Sequence, residues 1–90
     1  MKRRVVVTGV GAVTPIGNNA EDFWNSVKKG VCGIDYPTLF DVKNTKAKLF
    51  AEVKDLKLED HFSKKQILRS DRFCQFGIIA AREAFIDAGL

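Results

Sequence analysis

The first hydrophobic residues of the chain follow one another without polar alternation. Residues 5–7 are all valine, and a continuous β-branched run is typical of a strand that is covered on both faces in a parallel sheet. Glycines follow at 9, 11 and 17, and Pro15 favours an extended backbone at Thr14. We therefore predict a buried strand over residues 5–7 that runs into a structured loop, where sheets of this kind place their ligands.

The next segment carries the end signals of a helix. Asn18 or Asn19 can cap it, residues 21–22 place two carboxylates in its first turn, residues 28–29 place two lysines in its last turn, and Gly30 supplies a left-handed stop. The side chains expected to form its apolar, core-facing side are Phe23, Trp24 and Val27.

Hydrophobic patterning is weaker through the middle of the chain. Residues 31–48 contain turn-forming residues at 35–37 and 43–45, which predicts an ordered but irregular connection. Alternation over residues 49–54 predicts a short strand with one wetter face. Residues 56–68 are charged and locally helical, and the side chains expected to hold them in place are Leu58, Phe62, Ile67 and Leu68.

The last segment has the strongest helical pattern, with Ser70 as cap, Asp71 in the first turn and Gly89 at the end. At about 100° per residue, one face holds small residues that permit close packing: Gly77, Ala80, Ala81, Ala84 and Ala88. The opposite face holds Arg72, Gln75, Arg82, Glu83 and Asp87. Apolar residues interrupt this polar face, so we expect other parts of the protein or a second subunit to cover it partly; they are Phe76, Ile79 and Ile86.

These elements predict an α/β fold that is open on one side. A parallel-type strand cannot pair with itself, so we expect its neighbours to come from sequence after Leu90. Residues 1–90 are accordingly predicted to be a single, incomplete domain. A chain of 90 residues buries only about 60% of its unfolded surface, which leaves a marginal core.

Charge and composition narrow the classes of function. The net charge of +4 is spread along the chain, and no basic helix carries interleaved aromatic residues, so we do not expect nucleic-acid binding. The chain has no apolar run near the length of a membrane span. The segment after the basic start is short and broken by glycine, unlike a signal peptide. We therefore expect a cytoplasmic protein that does not enter a membrane.

The thiols and the imidazole offer little chemistry. Cys32 and Cys74 are too few and too differently placed for a disulfide framework, and with His61 as the one histidine they do not give a metal-binding spacing. We expect no bound metal and no cofactor. Cys74 is predicted to be a small buried hydrophobe in the last helix, Cys32 a loop residue, and His61 a surface or capping residue.

A family resemblance runs through the chain. Residues 4–17, Arg-Val-Val-Val-Thr-Gly-Val-Gly-Ala-Val-Thr-Pro-Ile-Gly, resemble the amino-terminal signature of the β-ketoacyl-[acyl-carrier-protein] synthases, closest to the synthase II group of bacterial fatty-acid synthesis. Segments at 23–34, at 40–42 with 48–51, and at 70–90 fit in the same order. The family's subunit is several times longer. The resemblance therefore implies the amino-terminal portion of a thiolase-like fold, in which layers of helices enclose two mixed sheets.

The resemblance also implies an activity for the complete protein. Members of the family are homodimeric acyltransferases that take an acyl group onto a cysteine, decarboxylate malonyl-carrier protein and join the two, which lengthens the chain by two carbons. Their partners are the acyl and malonyl forms of the acyl carrier protein. The catalytic cysteine, two histidines and lysine of the family lie after Leu90, so we expect no catalytic residue and no condensing activity from these residues alone.

One binding site follows from the same resemblance. In the family, a basic segment helps to dock the acidic acyl carrier protein, with Lys65 and Arg69 on the best-matching positions and Lys64 beside them. Leu68 stands where relatives can carry another basic residue. We expect Ile67 and Leu68 to anchor one side of the segment, so that its cations point outward as a group.

Two other classes of function stay open at this point. Gly9-Val10-Gly11 after a valine strand also begins a dinucleotide-binding fingerprint, although Thr14 occupies the third glycine position and Pro15 interrupts the expected helix. Asp35 also lies later than the usual ribose-binding acid. The remaining class is a small non-catalytic scaffold, which would require these residues to close a core of their own.

Overall fold

The computed structural model describes residues 3–38, 43 and 46–90. Its elements, in chain order, are helix α1 (Ala20–Lys29), strand β1 (Ile34–Asp35), strand β2 (Phe50–Ala51), a 3-10 turn (Leu58–Asp60), helix α2 (Lys64–Arg69) and helix α3 (Arg72–Asp87). Helices and a small two-stranded sheet are consistent with the expected α/β class. None of the helices in this described part is long and apolar enough to cross a membrane.

Helix α1 has the ends that its sequence predicts. Asn19 is the cap, and its side-chain oxygen accepts a hydrogen bond from the backbone N–H of Asp22 at 2.8 Å. Gly30 ends the helix with φ +70°, a conformation that costs glycine little. The apolar side is less covered than expected, because Phe23 is half-buried while Trp24 and Val27 are exposed.

The prediction of a buried strand at residues 5–7 is wrong for this chain. These valines form no strand, and their side chains are 93%, 68% and 82% exposed. A strand exists only through hydrogen bonds to a neighbour, and the one sheet in the described ranges is the antiparallel pair of β1 and β2. The apolar run therefore lacks a partner strand among these residues.

The segment that follows the valines packs against the small-residue face of α3. A Cβ atom added to Gly9 would lie 2.6 Å from the Ala88 nitrogen, and one added to Gly11 would collide with the carbonyl group of Ala80. Only residues without a side chain can approach a helix backbone this closely. The predicted close-packing role of this α3 face is confirmed for Ala80, Ala84 and Ala88.

The loop that leaves this segment is structured, as predicted. The backbone N–H of Thr14 donates to the Gly17 carbonyl at 2.8 Å, and the Thr14 hydroxyl donates to the same oxygen at 2.9 Å. The Ser26 hydroxyl of α1 donates to the Ile16 carbonyl at 2.7 Å and so fastens the loop to that helix.

The sheet differs from its prediction in extent and in partner. Of the strand expected over 49–54, only Phe50–Ala51 forms, and it pairs with Ile34–Asp35 in the register Ile34↔Ala51 and Asp35↔Phe50. The partner lies in the connection that was expected to be irregular. Residues 39–42 and 44–45 of that connection lie outside the described residues, and with them the resembling motif at 40–42 and most of the turn at 43–45.

Helix α3 begins one residue later than expected. Asp71 is its cap, without a side-chain hydrogen bond, whereas Ser70 ends α2. The Ser70 hydroxyl donates back to the Gln66 carbonyl at 2.6 Å and so belongs to the end of α2. At the other end the helix stops at Asp87, and Gly89 follows with φ +80°.

The core is small and includes one polar side chain. Among the described residues, those classed as buried are Phe62, Gln75 and Ile79. Gln75 was predicted on the polar face of α3, yet it is only 2% exposed, and its amide lies against the carboxyl end of α2. Cys74 was expected to be a buried hydrophobe, and this prediction is wrong, because Cys74 is an exposed free thiol. Ile86, placed on the same face, remains 75% exposed.

Candidate functional site

Helix α2 is short and begins with a reciprocal cap. The Ser63 hydroxyl accepts from the backbone N–H of Gln66 at 3.3 Å, and the Gln66 side-chain oxygen accepts from the backbone N–H of Ser63 at 2.9 Å. Such a capping box satisfies two backbone donors at the start of a helix. The locally helical character expected of this segment is thereby confirmed, and its start at Lys64 is set by the cap.

The predicted basic residues are all on α2 and all exposed. Lys65 and Arg69 are four positions apart, so they share one side of the helix. Both line a depression of about 590 Å³, together with Arg82 of α3 and the side chains of Phe62, Gln66 and Ile78. Lys64 is not part of this lining. The structure thus brings Lys65 and Arg69 together and leaves Lys64 beside them.

These cations are not neutralised locally. Among the residues that the structure describes, no carboxylate forms an ion pair with Lys64, Lys65 or Arg69. Three positive charges are therefore available to a partner on this side of the chain.

Arg82 is the residue of this depression that sequence reasoning missed. It was assigned only to the polar face of α3, whereas its Nη1 atom donates to the His61 carbonyl at 2.9 Å. Its guanidinium carbon also lies 5.2 Å from the centre of the Phe62 ring. The available signal was its spacing from Gln75 and Ile79, since residues seven and three positions apart share a helix face.

The expected anchoring of α2 is correct for one residue and wrong for the other. Ile67 is half-buried, but Leu68 is 83% exposed. The end of the helix is held instead by Gln75, whose amide nitrogen lies 3.1 Å from the Ser70 carbonyl oxygen and 3.3 Å from that of Ile67. A polar contact from α3 takes the place that an apolar side chain was expected to fill.

The comparisons with known proteins identify the family. The model of the family described as "Beta-ketoacyl synthase, N-terminal domain" matches residues 2–90. The chain belongs to this family. It is 48% identical over 88 residues to the 3-oxoacyl-[acyl-carrier-protein] synthase 2 of Staphylococcus aureus (strain COL). The aligned residues make up 98% of this chain and 21% of that relative. The synthase 2 of Synechocystis sp. (strain ATCC 27184 / PCC 6803 / Kazusa) is 43% identical over 89 residues, 99% of this chain and 21% of its own length.

The resemblance seen in the sequence is therefore confirmed at the level of the family. The chain spans about a fifth of the length of the curated relatives it matches. The exposed surface of the described residues, including the valines at 5–7, is therefore that of a β-ketoacyl synthase segment and not that of a protein as long as these relatives.

A second, larger groove lies between α1, the 3-10 turn and α3. It encloses about 910 Å³, and its lining includes Trp24, Lys57, His61 and Ile86. Two carboxylates on its wall already have partners. Glu83 accepts from the backbone N–H groups of Ala12, at 2.9 Å, and Ala20, at 3.1 and 3.0 Å. Asp87 accepts from Val10 at 3.0 Å, so both fasten the glycine-rich segment to α3.

These contacts count against the dinucleotide-binding alternative. A bound pyrophosphate needs free backbone N–H groups in the glycine-rich turn. Here the N–H groups of Val10 and Ala12 donate to the carboxylates of Asp87 and Glu83, whose negative charge would repel a phosphate. The glycines serve close packing on α3 in this segment.

Other chemistry in the described ranges is sparse. No group of three or more His, Cys, Asp or Glu side chains lies close enough to hold a metal ion within 3–38, 43 and 46–90. Cys32 and Cys74 are both exposed and unpaired as thiols. His61 is exposed, as expected of a surface residue.

Proposed function

We propose that residues 1–90 are the amino-terminal part of a 3-oxoacyl-[acyl-carrier-protein] synthase. Such an enzyme elongates an acyl chain by decarboxylative condensation with malonyl-carrier protein in fatty-acid biosynthesis. The single observation that carries this proposal is the family match along the length of the chain. The names of the similar proteins from two bacteria support the same reaction.

The proposal includes the architecture. We infer a single, incomplete domain within a thiolase-like layered fold. The exposure of the three valines at residues 5–7 supports an incomplete domain, because contiguous apolar surface of this kind is uncommon on a complete monomeric protein. The family resemblance implies a homodimer, and the composition and charge of the chain favour a cytoplasmic protein that binds neither nucleic acid nor membrane.

The proposal assigns the carrier-protein contact to α2. Lys64 and Lys65 lie in the first turn of this helix, where the helix dipole disfavours positive charge by about 0.3–1 kcal/mol per residue. The first turn contains no acidic residue to offset them. The exposed cations of α2, two of them placed against local stability, favour an intermolecular role, and an acidic carrier protein is the partner whose charge fits.

The activity is tested by a product assay. The complete synthase, incubated with acyl- and malonyl-carrier protein, should release carbon dioxide and form a 3-oxoacyl product two carbons longer, detected by mass spectrometry. The ninety-residue chain alone should form none, because nucleophilic attack and oxyanion stabilisation need groups that we place elsewhere. A 3-oxoacyl product from the isolated chain, or none from the complete synthase, would overturn the assignment.

A further inference from the structure

We propose that Gln75 and Arg82 of α3 are positioning residues that set the orientation of the basic helix α2, and thereby the place where Lys65 and Arg69 meet the carrier protein. This inference rests on the proposed docking function of α2. Neither residue is assigned to catalysis, and Gln75 is too buried to touch a docked protein.

Gln75 holds the carboxyl end of α2. The last carbonyl groups of a helix have no partner within it, and the Gln75 amide nitrogen lies within hydrogen-bond distance of Ile67 and Ser70 carbonyl oxygens and, at 3.2 Å, of the Ser70 hydroxyl. The Ser70 hydroxyl in turn donates to the Gln66 carbonyl. Two linked polar side chains thus serve the end of the helix that carries Arg69.

The burial of this amide is costly, which argues that its contact matters. A buried amide is stabilised only when it is hydrogen-bonded. The Gln75 side-chain oxygen has no partner among the described residues, so an apolar side chain of equal size would avoid one unsatisfied group. What the apolar side chain could not do is donate to the carbonyl groups of α2.

Arg82 holds the amino end of α2. Its hydrogen bond to His61 and its position over the Phe62 ring fix the two residues that precede the Ser63 cap. Phe62 is 8% exposed, so the ring is a fixed support for the guanidinium. A cation over an aromatic face is attracted by the negative charge density of the ring.

Helix α2 depends on these two contacts because it has little stability of its own. It contains six residues, whereas isolated helices shorter than about 12–15 residues are marginal in water. With Leu68 exposed, Ile67 is the one half-buried apolar side chain of the helix. If α3 released either end, Lys65 and Arg69 would keep their charge but lose their fixed spacing, and docking would cost more conformational entropy.

The first variant to test is Gln75→Met in the complete synthase, because methionine keeps the length of the side chain and removes the donor. We expect the KM for carrier-protein substrates to rise about threefold to fivefold, with kcat and the reaction of small thioester analogues changed by less than about twofold. The same substitution in a Lys65→Glu, Arg69→Glu background should raise KM no further, because its effect passes through those cations.

Arg82 needs a comparison that separates its charge from its hydrogen bond, since it lines the depression itself. Arg82→Lys keeps the positive charge but ends near the position of the guanidinium carbon, short of the Nη1 donor and without the planar group over Phe62, while Arg82→Met removes the charge as well. A positioning role predicts that Arg82→Lys raises KM nearly as much as Arg82→Met, whereas a direct contact of the Arg82 charge with the carrier protein predicts that Arg82→Lys keeps KM close to that of the parent. Lys28→Met serves as the control, because Lys28 is also a cation over an aromatic ring, 5.7 Å from the centre of Trp24, but on α1.

The outcomes distinguish the inference from the proposed function. If reversing Lys65 and Arg69 leaves KM unchanged, the docking function fails and the inference fails with it. If that reversal raises KM but Gln75→Met does not, or if Gln75→Met harms small and carrier-bound substrates equally, only the positioning inference is overturned. A KM for Arg82→Lys close to that of the parent, with Arg82→Met impaired, would overturn it for Arg82, a test that stands even if Gln75→Met fails to fold.

Discussion

Reversing Lys65 and Arg69 to glutamate in the complete synthase is expected to raise the KM for carrier-protein substrates about tenfold, equivalent to about 1.4 kcal/mol. A single exposed ion pair contributes only about 0–1 kcal/mol, but the reversal replaces two attractions with two repulsions on one face of α2. Reaction with small thioester analogues should remain nearly unchanged, because such analogues do not need the docking surface. Steady-state kinetics on both substrates measures the difference.

Two controls sharpen this experiment. Lys28→Glu with Lys29→Glu makes the same change of charge on α1 and should leave KM close to that of the unmodified enzyme. The effect of the α2 reversal should also shrink with salt, because the Debye length falls from about 10 Å at 0.1 M to about 3 Å at 1 M ionic strength. Equal loss on both substrates, or no loss at low salt, would show that these cations do not dock the carrier protein.

Replacing Gly11 by alanine is expected to destabilise the synthase by about 3 kcal/mol, the upper part of the usual range for overpacking. The added methyl group would collide with the backbone carbonyl of Ala80, and its neighbour in space would be the Ala84 nitrogen at 3.0 Å. A helix backbone cannot yield as a flexible side chain can, so the segment would have to lift off α3. The hydrogen bonds from Val10 and Ala12 to Asp87 and Glu83 would then be strained or lost.

Gly77→Ala is the matched control for this prediction. Gly77 was assigned to the same small-residue face of α3, yet a Cβ atom there would meet nothing within 4 Å. Alanine in a helix is more favourable than glycine by about 0.8–1 kcal/mol, so this variant should be as stable as the parent or slightly more stable. Thermal unfolding measures both, and an unchanged melting temperature for Gly11→Ala would contradict the packing of this segment on α3.

The features that the sequence predicted correctly depend on neighbouring residues. The Asn19 cap and the Gly30 stop of α1 are decided within one helical turn. The small-residue face of α3 was also visible, because helical spacing brings Ala80, Ala84 and Ala88 together and shows that something can pack closely there. The segment that packs there, with Gly9 and Gly11, is distant in the sequence. Helical spacing within α3 does not predict which segment this is.

The features that were missed depend on distant parts of the chain. Whether residues 5–7 form a strand is decided by a neighbouring strand and not by their own propensity. Sequence reasoning placed Gln75 on the polar face of α3, because the carbonyl groups that it contacts belong to the end of another helix. The same holds for Arg82, whose role appears only when the carbonyl of His61 is placed beside it. The basic residues of α2 were found from family resemblance, whereas the contacts that hold them required the structure.

The central claim is that α2 is the surface that meets the carrier protein, and hydrogen–deuterium exchange of the complete synthase tests it most directly. Exchange is compared with and without saturating acyl carrier protein, using peptides that cover residues 63–70 and, as control, residues 20–29. We predict slower exchange in 63–70 on binding, an effect that the Lys65→Glu, Arg69→Glu variant loses, and unchanged exchange in 20–29. Protection at another surface, with residues 63–70 unaffected while the carrier protein is bound, would contradict the claim.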